Sequence, residues 1–498
     1  MRASRAIGLL LLVLSCPARP AVAAEQERPN IILIYADDHA VQAVGAYGSS
    51  INRTPNIDRL AREGLVFSNS FVTNSICAPA RAVVLTGQFS HVNGVRTNAD
   101  VFDGSRQTLP KLLASAGYQT ALIGKWHLKS DPTGFDHWEV LLGQGPYYNP
   151  PMDTPDGRVQ HTGYTTDIIT DLAIEWLDES RDEDRPFLLM VQHKAPHRNW
   201  QPGPDHLHDL EGHSVPEPST LFDDYSTRAS PARNQEMTIG EHLSAFDLKL
   251  EAPGNLTDEQ RALWDAAYAP RNNAYLADSP EGDDLIRWKY QRYLRDYLRC
   301  IASIDDGVGR ILDHLDRSGL SENTVVVYSS DQGFYLGEHG WYDKRWMYEP
   351  SLRTPMVMRW PGVAPEGVTR DQLVQNIDLA PTFLDAAGVT LPEWMQGRSL
   401  VPVIKDDDAP FRDALYYHYY EFPGVHAVAR HYGVRTDRHK LIHYYQTDEW
   451  ELFDLQTDPN ELENLYADPG KKADVARLKQ RLERLRVEYA EAPVQVGP

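Results

Sequence analysis

The sequence predicts an α/β fold: a mixed, mostly parallel central sheet with helices on both faces, followed by a small C-terminal antiparallel sheet with a helix. Three observations predict it. Continuous apolar, β-prone runs recur along the chain, as strands buried on both faces require. Segments of helical periodicity lie between them, the order a parallel sheet needs. From about residue 412 the pattern changes to short runs separated by turns.

Asn30 to Ala36 is the first buried run, and it stops at Asp37-Asp38. Pro79 fits the first turn of a helix that closes at Gly87, which places Cys77 at the helix N-terminus. Thr108 to Ala116, closed by Gly117, and Asp167 to Glu179 read as helices. Phe187 to Val191 is a second run and leads into Pro196-His197. Residues 201–284 are rich in Pro, Asp, Glu and Asn with little periodicity, and are expected to form a surface insertion over the cleft. A long helix is expected over Leu285 to Arg317, with Tyr290, Tyr293, Leu294, Tyr297, Leu298, Ile301 and Ile304 on its apolar face. Thr324 to Ser329 is a third run and ends in Ser330-Asp331-Gln332-Gly333. Four short strands follow, Ala414–Tyr420, Tyr432–Thr436, Lys440–Tyr445 and Trp450–Asp454, and then an amphipathic helix over residues 471–489.

These readings divide the 498 residues into a leader (1–24), a catalytic domain (25–405, with the insertion at 201–284) and a C-terminal α+β subdomain (406–498). In the leader, Arg2 and Arg5 precede the apolar run Ile7–Leu14, and small residues end at Ala24. That is the pattern of a cleaved secretory signal, so a secreted or periplasmic location is expected. Leu14 does not suit lipid attachment at Cys16. No other run is long and apolar enough to span a bilayer.

Lys and Arg total 49 against 71 Asp and Glu, a net charge of −22. Such a chain lacks the basic footprint that nucleic acid demands. A mixture of 42% hydrophobic and 24% charged residues excludes a disordered chain, and three cysteines exclude a disulfide scaffold. Cys77 and Cys300 outside the leader leave two possibilities, one disulfide or two separate thiols.

Ligands in open α/β sheets bind beyond the carboxyl ends of the strands, and all three runs present Asp or His there. Adjacent carboxylates at a buried strand end are costly unless a cation neutralises them. Asp37, Asp38, Asp331 and Gln332 offer oxygen ligands, which suit calcium or magnesium. A helix N-terminus lowers the pKa of a thiol, which is the expectation for Cys77. Arg81, one turn on, can reach back beside it.

Cys77-x-Pro79-x-Arg81 followed by Leu85-Thr86-Gly87 resembles the signature of the formylglycine-dependent sulfatases of the alkaline phosphatase-like superfamily. Pro29 to Asp38, Gly124-Lys125-Trp126-His127, Pro196-His197, Ser330 to Gly333 and Lys344 resemble further segments of that family, in order. The sequence departs at Ala80, where serine is frequent, and at Gln332, where asparagine is common; the amide keeps a carbonyl ligand.

The resemblance implies that a formylglycine-generating or anaerobic sulfatase-maturing enzyme oxidises Cys77 to formylglycine. It implies one Ca²⁺ per chain held by Asp37, Asp38, Asp331, Gln332 and residue 77. Arg81 would stabilise the hydrated aldehyde, Lys125 and Lys344 would grip sulfate, His197 would protonate the leaving alcohol, and His127 would take the remaining diol proton. Within the family the sequence is most similar to secreted bacterial glycan sulfatases of the N-acetylglucosamine-6-sulfatase, mucin-desulfating type. The implied partner is a sulfated mono-, oligo- or polysaccharide. The Tyr- and His-rich stretch after Tyr416 suggests sugar stacking or simply an amphipathic strand. His339, His426, Arg430 and His431 are the candidate substrate contacts. Two other readings are a phosphatase or phosphodiesterase of the same superfamily and an inactive sulfated-glycan-binding protein.

Overall fold

The computed structural model describes residues 28–494; the expected leader, Cys16 included, lies outside them. A ten-stranded sheet runs through the molecule. Its order is Val368–Arg370, Leu65–Phe67, Met356–Arg359, Thr324–Ser330, Asn30–Ala36, Phe187–Gln192, Gln119–Lys125, His137–Leu141, Pro151–Thr154 and Gly157–Gln160. The central strands are parallel, and antiparallel pairs flank them.

The central strand shows why the apolar runs are continuous. Ile31, Leu33 and Tyr35 pack into one core, and Ile32, Ile34 and Ala36 into another on the opposite face. Each such side chain contributes roughly 1.5–3 kcal/mol when fully buried. The long helix Gly282–Ser318 covers one face, burying all seven of the expected apolar residues. Helices Cys77–Thr86, Leu109–Ser115 and Leu379–Ala386 cover the other. Register aligns the strand ends: Ala36 pairs with Ser330, and Tyr35 and Gly124 with Gln192. Asp37, Asp331, Lys125 and His193 therefore emerge side by side.

The C-terminal sheet has the order Ala414–Tyr419, His431–Thr436, His439–Tyr444, Glu449–Asp454, all antiparallel. One face packs on the helix Lys472–Glu488 through Leu478, Leu482 and Leu485. Tyr417, Tyr419, Ile442 and Tyr444 on the other face join the main core.

One expectation changes and two open alternatives are settled. Residues 201–284 contain a 21-residue helix, Asp258–Asp278, opened by a Thr257–Gln260 capping box. Its mean burial is low and Pro270 sits inside it, so its periodicity is weak in sequence. Tyr416, Tyr417 and Tyr419 are fully buried packing residues, so the Tyr-rich strand offers no open stacking surface. Cys77 and Cys300 are both free thiols, each buried. Among the described residues no helix is long and apolar enough to cross a membrane.

Candidate active site

Asp37 and Asp38 leave the central strand into a cluster of fully buried charges. The Asp38 backbone adopts a φ of 74°, and its N–H donates to Asp331 Oδ1 at 3.1 Å. Its carbonyl accepts from Tyr297 Oη at 2.6 Å, so the long helix fixes this turn. One oxygen each of Asp37, Asp38 and Asp331 lie within 4.8 Å of one another; Asp37, Cys77 and His197 form a second such group.

Cys77 begins a helix in which all ten residues are buried. Its thiol donates to Asp37 Oδ1 at 3.4 Å, and Gln332 Nε2 lies 3.7 Å from Sγ. Gln332 Nε2 also donates to Asp38, while its Oε1 is buried with no hydrogen-bond partner. An amide with an unpartnered oxygen, on a side chain that touches Asp38 in a cluster of three carboxylates, is a ligand a hard dication would accept. The oxygen donors fit a hard dication such as calcium or magnesium.

The thiol does not follow the helix-terminus expectation. Burial pushes Cys77 up to about 12, with Asp331 and Asp38 adding to the rise against Lys344 and Arg81. The helix dipole is outweighed because the sulfur has no contact with water and sits among carboxylates.

Arg81 ties the strand ends together. It donates to Lys125 O at 2.9 Å, to Asp331 Oδ2 at 3.0 Å and to Gln192 Oε1. Lys125 pairs with Asp37 and donates to Gln144 Oε1 at 2.5 Å. Gly124 before it has a φ of 106°, and a Cβ there would lie 2.0 Å from Gln192 O, so only glycine lets this strand end approach. Lys344 donates to Asp38 Oδ2 at 2.6 Å. Burial works against both ammonium groups. It takes Lys125 well below the ordinary lysine value, whereas Asp38, Cys77 and Asp343 carry Lys344 above it.

His127 and His197 flank this cluster. His127 has a φ of 58° and a buried Nδ1 without a partner. Burial, then Lys125 and Arg81, push it down to about 2. His197 Nδ1–H donates to Arg198 O at 2.7 Å, which leaves Nε2 facing Asp38 Oδ2 at 3.9 Å. Burial, then Lys344, Lys125 and Lys194, hold it well below the ordinary value. Burial and the nearby lysines thus favour the neutral form of both imidazoles.

The structure thus brings Asp37, Asp38, Cys77, Arg81, Lys125, His127, His197, Asp331, Gln332 and Lys344 into one cluster. Of the substrate candidates, only His426 touches a neighbour of the cluster: Nε2 bonds Asp343 Oδ2 at 2.8 Å and Nδ1 bonds Glu236 O at 2.7 Å. His339 is buried elsewhere, bonded to Asp223 at 2.8 Å and packed on Trp341 and Tyr348. His431 is fully enclosed, with Met347 N–H on Nε2 and Ala429 O on Nδ1, so neither ring nitrogen is left for a sugar. Both belong to the aromatic packing of the main core. Arg430 is half-buried and reaches Phe422 O at 3.4 Å.

Three residues escaped the sequence reading. Lys194 is buried over the Tyr147 ring at 4.8 Å, and burial pushes it down to about 8. Asp343 and Arg345 flank Lys344 with φ of 76° and 94°, and Arg345 Nη1 is buried without a partner. The charged triplet Asp343-Lys344-Arg345 between Tyr342 and Trp346 is the signal that could have found the last two.

Comparison with known proteins shows the family to which the chain belongs. The Sulfatase family model matches residues 29–389, and the N-sulphoglucosamine sulphohydrolase C-terminal model matches residues 337–488. An N-acetylglucosamine-6-O-sulfatase of Bacteroides thetaiotaomicron is 47% identical over 484 residues, covering 93% of this chain and 86% of the relative. The human N-acetylglucosamine-6-sulfatase is 28% identical over 426 residues, covering 80% and 68%. A solved structure in complex with its substrate D-glucosamine-2-N,6-O-disulfate superposes with a TM-score of 0.92 at 46% identity, covering 93% and 99%.

Proposed function

The chain belongs to the sulfatase family and is a sulfuric ester hydrolase; from that premise we propose that it removes the 6-O-sulfate of glucosamine-type sugars in a sulfated glycan, using a formylglycine made from Cys77 and one bound Ca²⁺. One observation carries the reading. Segments as far apart as Asp38 and Lys344, 306 positions, deliver three carboxylates, an amide with an orphaned oxygen, two lysines and residue 77 to one point. The sugar follows from the likeness to N-acetylglucosamine-6-O-sulfatase and to the glucosamine-disulfate complex.

Asp37, Asp38, Asp331, Gln332 and residue 77 would hold the calcium, which supplies positive charge against the sulfate and the attacking oxygen. Formylglycine at residue 77, once hydrated, would supply the nucleophilic oxygen. The remaining work falls to this chain's side chains. Lys125 pairs with Asp37, and Lys344 with Asp38 and more distantly Asp343; both ammonium groups lie where they would grip sulfate oxygens. Arg81 holds the strand ends in place beneath residue 77. His197 presents Nε2 to the ester oxygen, and the negative charge of a bound sulfate raises its proton affinity, so that it can protonate the departing alcohol. His127, with an unpartnered ring nitrogen, takes a proton from residue 77 in the second half of the reaction. Arg345, with its unpartnered Nη1, and Asp343 flank Lys344 and would bond sugar hydroxyls, while His426, both of whose ring nitrogens are taken, would orient Asp343. The leader over residues 1–24 directs the protein to the periplasm or the exterior, and the catalytic and C-terminal units divide near residue 405.

Two measurements test the reading together. Peptide mass spectrometry across residues 77–81 of protein made with a maturing enzyme should show conversion of Cys77. That protein should release sulfate from glucosamine 6-sulfate, and Cys77→Ala should release none. Full activity with unconverted cysteine would overturn the proposal.

A further inference from the structure

A second charged cavity lies on another face of the long helix. Trp288, Arg292, Arg295 and Arg299 follow one another at spacings of four, three and four, which puts them on one stripe. Arg271 from the helix Asp258–Asp278 completes a pocket of about 400 Å³, with Glu211 at its edge. Tyr297, on a different face of the same helix, supports Asp38.

The pocket has more cations than its own anions can satisfy. Asp296 Oδ1 accepts from Arg299 at 2.8 Å and from Tyr268 at 2.7 Å, and its Oδ2 is buried without a hydrogen-bond partner, so it reaches none of the other guanidiniums. Glu211 meets Arg271 and His208 through one oxygen, Oε1. Arg295 reaches only Gln291, at 3.3 Å. Arg292 is 7% exposed and rests on the rings of Trp288 and Tyr268, at 5.3 and 5.6 Å. Nη1 of Arg292, Nη1 of Arg271 and Nε of Arg295 are buried with no hydrogen-bond partner among the described residues. Burial lowers the proton affinity of Arg292 against Asp296 and Tyr268; burial, then Arg299 and Arg292, lower that of Arg295. In a chain of net charge −22, four guanidiniums against two carboxylates, with three donors left over, form a local excess of positive charge that suits an external anion. Guanidinium forks match tetrahedral oxyanions. Trp288, stacked on Tyr275 at 3.9 Å, adds a flat apolar wall of the kind that packs on a sugar ring.

We propose that this arginine pocket is an accessory site that binds a sulfate group borne by a sugar of the glycan, apart from the sulfate that is cleaved. The choice of a sulfated sugar rests on the function proposed above; the oxyanion chemistry does not. Calorimetric titration of Cys77→Ala protein with inorganic sulfate, and separately with a sulfated glucosamine tetrasaccharide, tests it against the same protein carrying Arg292→Gln and Arg295→Gln. The double variant should bind the tetrasaccharide about tenfold or more weakly and lose one inorganic sulfate site. In Cys77-containing protein it should desulfate the monosaccharide with kcat and KM within about twofold. Arg295→Lys, which keeps the charge and loses the buried Nε donor, should fall between and guards against a folding defect in the double variant. Loss of inorganic sulfate alone, with tetrasaccharide binding unchanged, would overturn the sugar assignment and leave a free-oxyanion site. No change in either titration would overturn the pocket as a binding site. Absence of glucosamine desulfation would instead fall on the proposed function, since the inorganic sulfate titration reads the pocket by itself.

Discussion

Replacing Arg81 with Met removes a side chain that bridges three strand ends. The guanidinium donates to Lys125 O, Gln192 Oε1 and Asp331 Oδ2, all in a region without solvent. Each buried acceptor left without a donor costs about 1–3 kcal/mol, and breaking a buried ion pair by deleting one partner costs about 3–5 kcal/mol. These losses overlap, so the expected destabilisation is about 3–5 kcal/mol in total. Urea unfolding in the presence of a calcium chelator is the appropriate assay, because no metal then compensates Asp331. The midpoint should fall with an unchanged slope. Arg81→Lys keeps the charge and loses the fork, and should lose roughly half as much. A Met variant within about 1 kcal/mol of the parent would refute the view that Arg81 holds the strand ends together.

Chelating calcium with EGTA should abolish sulfate release, and calcium should restore it; metal analysis should find one calcium per chain, and two zinc ions would point to the phosphatase reading instead. Lys344→Ala should lower kcat/KM by a hundredfold or more, about 3 kcal/mol of transition-state stabilisation, against no measurable change for Lys471→Ala on the C-terminal side; equal small effects would remove the sulfate-gripping role. Burial holds His431 down to about 3, against the bond to Ala429 and helped by His418. Below about pH 6.5 the unfolded chain therefore binds a proton there that the folded chain does not, and stability falls by about 1.4 kcal/mol per pH unit toward pH 3. His431→Gln should flatten the urea-midpoint profile by that amount; an unchanged slope would contradict the enclosure of this ring.

The central strands were legible because a strand buried on both faces must be apolar at every position, as Ile31 to Ala36 are. The cluster was legible because its charged residues interrupt those runs where a parallel sheet presents ligands, at Asp37, Lys125 and Asp331. The substrate side was harder to read. His431 and Tyr417 alternate along buried strands of a sheet packed on both faces, and their sequence looks the same as that of an exposed sugar platform. Asp343 and Arg345 owe their position to left-handed backbone conformations on either side of Lys344, which no periodicity reports. The helix Asp258–Asp278 buries only Trp264, Ala267 and Tyr268, so its apolar stripe is too thin to stand out from the surrounding acidic chain. The Cys77 thiol went against expectation because burial depends on tertiary structure, while the helix terminus is local.

The enclosure of the helix Cys77–Thr86 has a consequence for biosynthesis. Residues 75 through 86 have almost no contact with solvent in the finished protein. A second enzyme therefore cannot clasp this stretch once the sheet has closed around it. Any catalyst that alters residue 77 has to meet the nascent or newly translocated polypeptide first, and folding then seals the altered side chain inside.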